Sequence, residues 1–130
     1  MMEVAAGIIR RSDGRVLICR RGEGRHHAHL WEFPGGKLEA GETPEQGLAR
    51  ELREELKIET QVGRILDAQL ESEFNEFLIL YYLVRITEGA PALTEHSEIR
   101  YVLPGELMEY EFSTADAKVA AKLAGGEIVT

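Results

Sequence analysis

With 130 residues, 44% apolar and 29% charged, the chain has the composition of one globular domain, taken as residues 1–130, large enough to bury a core without disulfides. Fifteen basic against 23 acidic residues leave a formal charge of −8, which repels nucleic acids and anionic membranes and argues against both as partners. A phosphate compound is compatible with such a surface where a divalent cation bridges it to the protein's carboxylates.

The opening MMEVAAGIIRR has an early acid, a short apolar stretch and no cleavage pattern, so neither a signal peptide nor a membrane span is expected, and a cytoplasmic location is. Glu3–Arg10 and Arg15–Arg20 are β-prone and flank Ser12-Asp13-Gly14, a strong turn signal, which together predict an opening hairpin. Cys19, the sole cysteine, lies in the apolar run Val16–Cys19 and reads as a buried strand residue. Gly22–His29 reads as a loop. Its His26, His27 and His29 have no carboxylate spaced among them and are assigned to a surface loop, not a metal site. Trp31 and Tyr81 or Tyr82 read as core aromatics.

The next helix has well-marked limits. Thr43 is its N-cap, Pro44 takes the first helical position, Gln46 completes a capping box, and the helix is expected to reach Leu56. At about 100° per residue, Leu48, Ala49, Leu52 and Leu56 share a core face. Glu51, Glu54 and Glu55 share a second arc, and Arg50, Arg53 and Lys57 a third. Glu51 and Glu55 repel at i, i+4, and with the basic residues in their own sector nothing within the helix offsets that repulsion, whereas a bound cation would. Gly47, one turn before Glu51, reads as room beside the carboxylates for backbone or substrate to approach; Gly35, Gly36 and Gly41 permit close backbone approach to the same place. Downstream, Val62–Leu70, Phe77–Ile86 and Glu98–Leu103 read as strands, with the continuously apolar Phe77–Val84 at a sheet's centre. Ser113 or Thr114 caps a last helix with a core stripe of Ala117, Val119, Ala120, Leu123 and Ala124, ended by Gly125-Gly126. An α/β architecture follows, a mixed sheet flanked by helices.

From Gly36 to Ile58 the sequence GKLEAGETPEQGLARELREELKI resembles the Nudix box: Gly, five residues, Glu, seven residues, then Arg-Glu-apolar-x-Glu-Glu-x-Gly-apolar. The one departure is Lys57 in place of the Gly after the helix, which puts the standard C-terminal turn in question but touches no ligand position. VAAGIIRR, ICRR, WEFPGGK and EHSEIRYV extend the likeness to the MutT-like branch over most of the chain. The resemblance implies an α/β/α sandwich with a mixed sheet between helices, and hydrolysis of a nucleoside triphosphate to the monophosphate and pyrophosphate with Mg²⁺ or Mn²⁺. It implies metal ligation by Glu51, Glu54, Glu55, Glu95 and the Gly35 carbonyl, and orientation of the carboxylates by Arg50 with Glu42. Glu51 or Glu95 would be the general base.

For the substrate, Arg20 and Arg21 end a strand expected to point at the site, Arg21 at a nucleotide-contacting position, while Phe33 matches a residue whose backbone meets the base. Asp116 stands where 8-oxo-dGTP hydrolases carry a base-reading Asn. Ionised, an Asp accepts only and suits the cytosine amine, whereas Asn also donates to a guanine O6. The reading puts 8-oxo-dGTP first, as sanitation of oxidised nucleotides in the service of DNA repair, and CTP or dCTP second. ADP-ribose ranks lower, because no Pro falls between Pro44 and Pro91; a dinucleoside polyphosphate ranks lower because Glu73-Phe74 stand where that branch has Tyr. The expected assembly is a monomer or homodimer.

Overall fold

The computed structural model describes residues 1–72 and 76–130; Glu73-Phe74, weighed above against a dinucleoside polyphosphate, lie outside them. In chain order the elements are strands β1 (Met2–Ile9), β2 (Val16–Arg21), β3 (Trp31–Glu32) and β4 (Gly35–Lys37), helix α1 (Pro44–Leu56), strands β5 (Glu59–Glu71), β6 (Phe77–Glu88) and β7 (His96–Val102), a 3-10 helix (Pro104–Glu109), and helix α2 (Thr114–Ala124). The strands form two sheets, a mixed one in the order β4-β1-β6-β5 and an antiparallel one in the order β3-β2-β7. The apolar β6 is an inner strand, as its composition predicts, parallel to β1 and antiparallel to β5.

The expected hairpin of β1 and β2 does not form. The turn is present, with Gly14 N–H donating to Arg11 O at 2.9 Å, but beyond the single Arg10–Val16 bridge the strands part into different sheets. A turn signal fixes chain reversal over a few residues, and strand partners are chosen by long-range burial. β1 has no polar face to expose. Its Ala5 and Ile9 join Leu17 and Cys19 of β2 against Leu48, Leu52 and Leu56 of α1. Its Ala6 and Ile8, with Val16 and Ile18, pack in a second core with Val119, Ala120 and Leu123 of α2 and with Leu107. Burial on both faces makes the α/β/α layering, and it explains strands that read as unbroken apolar runs. Cys19 and Trp31 are core residues, as are Tyr81 and Tyr82.

Helix α1 ends where its sequence predicts. Thr43 Oγ1 accepts from Gln46 N–H at 3.1 Å, and Gln46 Oε1 accepts from Thr43 N–H at 3.0 Å. Lys57 takes the left-handed conformation a Gly would favour, φ 60°, and its N–H donates to Arg53 O at 3.1 Å, so the turn survives the substitution. Ala49 is only half-buried, and the inward face gains Gly47 and Glu55. In α2 the buried stripe is Ala115, Asp116, Val119, Ala120 and Leu123; Ala117 and Ala124 lie at its margin, and Ser113 stands at the N-cap without a side-chain cap hydrogen bond. No helix among the described residues is long and apolar enough to cross a membrane.

Candidate active site

A cavity of about 610 Å³ opens between the two sheets, lined among others by Gly35, Gly36, Glu51, Glu55, Glu95 and Asp116. Two adjacent glycines build its floor. A Cβ on Gly35 would sit 2.0 Å from the Ala5 carbonyl oxygen, so only glycine lets β4 lie this close to β1. A Cβ on Gly36 would sit 2.4 Å from the Glu51 carboxylate carbon, so there the absent side chain makes room for the acid itself. Of the two approaches that Gly47 could admit, chain or substrate, the structure shows the first. A Cβ there would meet Leu38 and Glu42, so it admits the loop before α1 and not a substrate.

The three helix acids have three different surroundings. Glu51 is largely covered and Glu54 is 59% exposed, while Glu55 is buried. Arg50 gathers the first two, donating to Glu51 Oε1 at 3.1 Å and Glu54 Oε2 at 3.3 Å, and is itself held by Glu42 at 2.7 Å and by the Lys37 carbonyl at 3.2 Å. The expectation that nothing in the helix offsets the acids' repulsion is therefore corrected for Glu51 and Glu54, while Glu55 still feels the charge of Glu51. A guanidinium is long enough to fold back across one turn, whatever arc its Cβ occupies. Glu42, bonded to Arg50 and to the Glu39 N–H, is held down at about 2.

Glu55 is the exception. Burial, then the negative charges of Glu32, Glu51 and Glu95, push it up to about 9, and its Oε2 is buried with no hydrogen-bond partner among the described residues. A buried ionised oxygen without a donor is costly, and a cation would supply what the protein withholds. Among the described residues the tight set of possible ligand atoms is Glu32, Glu55 and His96, all within 4.8 Å of one another. None of the three loop histidines belongs to it, although His26 and His27 line the cavity.

Glu32 and His96 are neighbours of Glu55 in the cavity that sequence reasoning missed. His96 Nε2 lies 2.8 Å from Glu32 Oε2 and 3.9 Å from Glu55 Oε1, and Arg21 Nη1 donates to Glu32 Oε1 at 2.7 Å. Burial pushes Glu32 up, but the His96 hydrogen bond and the Arg21 charge outweigh it and hold the group below its ordinary range. The contact spans 64 residues of chain, which no spacing rule reaches; the only sequence signal was an acid between two core aromatics, Trp31 and Phe33.

The remaining predicted residues divide. Arg21 lines the cavity, whereas Arg20 turns away, donating to the His29 carbonyl at 3.1 Å and lying 3.6 Å from Glu98, because successive strand side chains take opposite faces. Glu95 lines the cavity from the loop before β7, 3.5 Å from Arg25. Asp116 and Phe33 meet at its buried end. Asp116 Oδ2 accepts from the Phe33 N–H at 2.9 Å and Oδ1 from the Tyr81 hydroxyl at 2.6 Å, while burial pushes its carboxyl up to about 7 against the pull of those two donors. Glu54 and Arg50 stand outside the lining, behind Glu51.

A model of the NUDIX domain matches residues 1–123. The 8-oxo-dGTP diphosphatase of Haemophilus influenzae is 39% identical over 124 residues, covering 95% of this chain and 91% of that one. The CTP pyrophosphohydrolase of Escherichia coli K12 is 38% identical over 117 residues, covering 89% and 86%. The solution structure of the E. coli ORF135 protein superposes with a TM-score of 0.80 at 33% identity, over 98% of this chain and 91% of that one.

Proposed function

Because the chain belongs to the Nudix hydrolase family, whose members need a divalent metal, we propose that it splits a nucleoside triphosphate and water into the monophosphate and pyrophosphate, with 8-oxo-dGTP as first substrate. The observation that carries this reading is Glu55, a buried acid with an unpartnered oxygen, beside Glu51 at the glycine bend of a cavity that also holds Asp116. Glu51 and Glu55, with Glu54, Glu95 and the Gly35 carbonyl, would hold Mg²⁺ or Mn²⁺, and the unsatisfied Glu55 oxygen fits that role. Bound there, the metal neutralises phosphate oxygens and lowers the pKa of water.

The chain's own groups supply the rest. Arg50, bonded to Glu42, fixes the Glu51 carboxylate against Gly36, so the acid meets its ligand without reorganising. Glu51 or Glu95 takes the proton of the attacking water, and the pH profiles of Glu51→Gln and Glu95→Gln separate the two. At the closed end Phe33 and Asp116 face the base. A carboxyl near pH 7 is populated in both protonation states, and the neutral form can donate to a guanine O6 as an Asn does. The ionised form favours the cytosine amine, and this second reading shares its substrate class with the CTP pyrophosphohydrolase relative.

Free nucleotides, not nucleic acid, suit a chain of net charge −8. The same reading makes it a cytoplasmic monomer or homodimer built from a single domain, residues 1–130. Incubation with 8-oxo-dGTP, dGTP, dCTP, CTP and ADP-ribose, with Mg²⁺, Mn²⁺ or EDTA, tests the proposal by pyrophosphate release. Metal-dependent cleavage with 8-oxo-dGTP fastest supports it; a panel left intact with either metal sinks it.

A further inference from the structure

The cavity is an acidic place in which to bind a triphosphate. Among the described residues six carboxylates line it, those of Glu32, Glu51, Glu55, Glu71, Glu95 and Asp116, against three Lys and Arg side chains, those of Arg21, Arg25 and Lys37. Which cation meets the phosphates follows from what each already holds. Arg21 is committed, donating to Glu32 at 2.7 Å and to the His26 carbonyl at 2.6 Å. Lys37 lies on the Phe77 ring, its ammonium 5.7 Å from the ring centre. Arg25 has one contact among the described residues, Nη1 to Glu95 Oε1 at 3.5 Å, well outside the ~2.7–2.9 Å of a charge-assisted hydrogen bond. A guanidinium carries five donors, so Arg25 faces the cavity with most of them unused.

Its position is built. Arg25 sits in the loop between β2 and β3, pinned by Arg21 Nε on the His26 carbonyl and by the His29 N–H on the Arg21 carbonyl at 2.9 Å. Gly24, His27 and His29 all take positive φ, 78°, 58° and 71°. For the two histidines that conformation costs about 1 kcal/mol each, and it persists only where surrounding bonds hold it. Arg25 is 44% exposed and Glu95 47%, at the open rim, whereas Asp116 is 6% exposed at the closed end. On the reading above, with the base at the closed end beside Asp116, the terminal phosphates would lie at the exposed end of the cavity, where Arg25 and Glu95 stand.

We propose that Arg25 is a catalytic residue that grips the terminal phosphates of the triphosphate, exchanging its loose contact with Glu95 for bidentate bonds to phosphate oxygens. The exchange frees the Glu95 carboxylate as the charged tail arrives, so tail binding and release of that acid are one event. This rests on the triphosphate reading above and sharpens it to the part of the substrate that is recognised.

The test is calorimetric binding of the α,β-imido analogues of 8-oxo-dGTP and dCTP, whose scissile anhydride is blocked, beside 8-oxo-dGMP and dCMP, all at fixed Mg²⁺. Arg25→Ala should weaken the triphosphate analogues about tenfold while leaving the monophosphates within twofold, and Arg25→Lys should fall between. Steady-state KM for the cleaved triphosphate should rise by a similar factor. Equal affinity of Arg25→Ala and the unmodified protein for the triphosphate analogues overturns the proposal, as does an equal loss for tri- and monophosphates, which would mean that the substitution disturbs the loop. An unchanged melting temperature guards against misfolding. If the unmodified protein neither binds nor cleaves any triphosphate, the functional reading itself fails, and this inference with it.

Discussion

Two buried acids face one cavity from opposite helices, and they differ in what the protein offers them. Asp116, on α2, has a donor for each oxygen, the Phe33 N–H and the Tyr81 hydroxyl. Glu55, on α1, has an oxygen with no partner and three acids for neighbours. A fold can bury a carboxylate by satisfying it, and such a group is then part of the architecture. Where it buries one unsatisfied, ionising that acid is costly unless something outside the chain completes it.

The largest effect should come from removing the unsatisfied charge. Glu55→Gln is expected to reduce pyrophosphate release on the order of 10³-fold, several kcal/mol of transition-state stabilisation. In metal-free protein the same change should stabilise the fold. The folded carboxyl, at about 9, lies above its ordinary 4.5, so its contribution to stability is full below pH 4.5 and lost as pH rises through 9. Urea denaturation at pH 8 in EDTA should therefore find Glu55→Gln more stable by about 2 kcal/mol, with the gap closing near pH 5. A less stable variant at pH 8 would show that the acid is satisfied after all.

Asp116→Ala breaks the other side of the contrast. It orphans the Phe33 N–H and the Tyr81 hydroxyl and should destabilise by about 2–3 kcal/mol in the same measurement, metal present or absent. Asp116→Asn keeps an acceptor, so its cost is smaller and its main effect falls on base choice, with cytosine turnover falling relative to 8-oxo-dGTP by about tenfold. Because the Asp116 carboxyl is raised from 3.8 to about 7, its contribution to stability fades as pH climbs between those values. The unmodified protein should lose ground to Asp116→Asn over that window and hold level above it, as thermal melts across pH would register. The smallest effect is a control: Lys57→Gly relieves the left-handed turn at the end of α1 and should add about 0.5–1 kcal/mol while moving neither acid nor turnover.

What could be read from sequence was whatever a few neighbouring residues decide. The capping box of Thr43 and Gln46, the extent of α1 and the central place of β6 were legible because local hydrogen bonds and an unbroken apolar run fix them. The pairing of β1 with β6, seventy-odd positions downstream, was not, since the turn after Arg11 suits a hairpin equally well. In the site, the acids of α1 were legible as a set but not as three environments. Helical spacing places Glu54 and Glu55 side by side, and only packing sends one to solvent and the other under β7's His96. Arg20 and Arg21 were both expected to point at the site, and the strand's alternation sends only Arg21 there. Glu32 needed the fold to bring His96 to it.

The glycine pair under the cavity separates two kinds of tolerance. At Gly35 an added methyl would collide with rigid main chain, so the position is policed by folding itself. One residue on, the same methyl would meet the end of a side chain and not main chain, and the chain could fold around it with the Glu51 carboxylate pushed from its bond to Arg50. Screens for solubility or expression would pass such a molecule. A change at residue 36 is thus a lesion that quality control cannot see, and neighbouring letters of one motif answer to different judges.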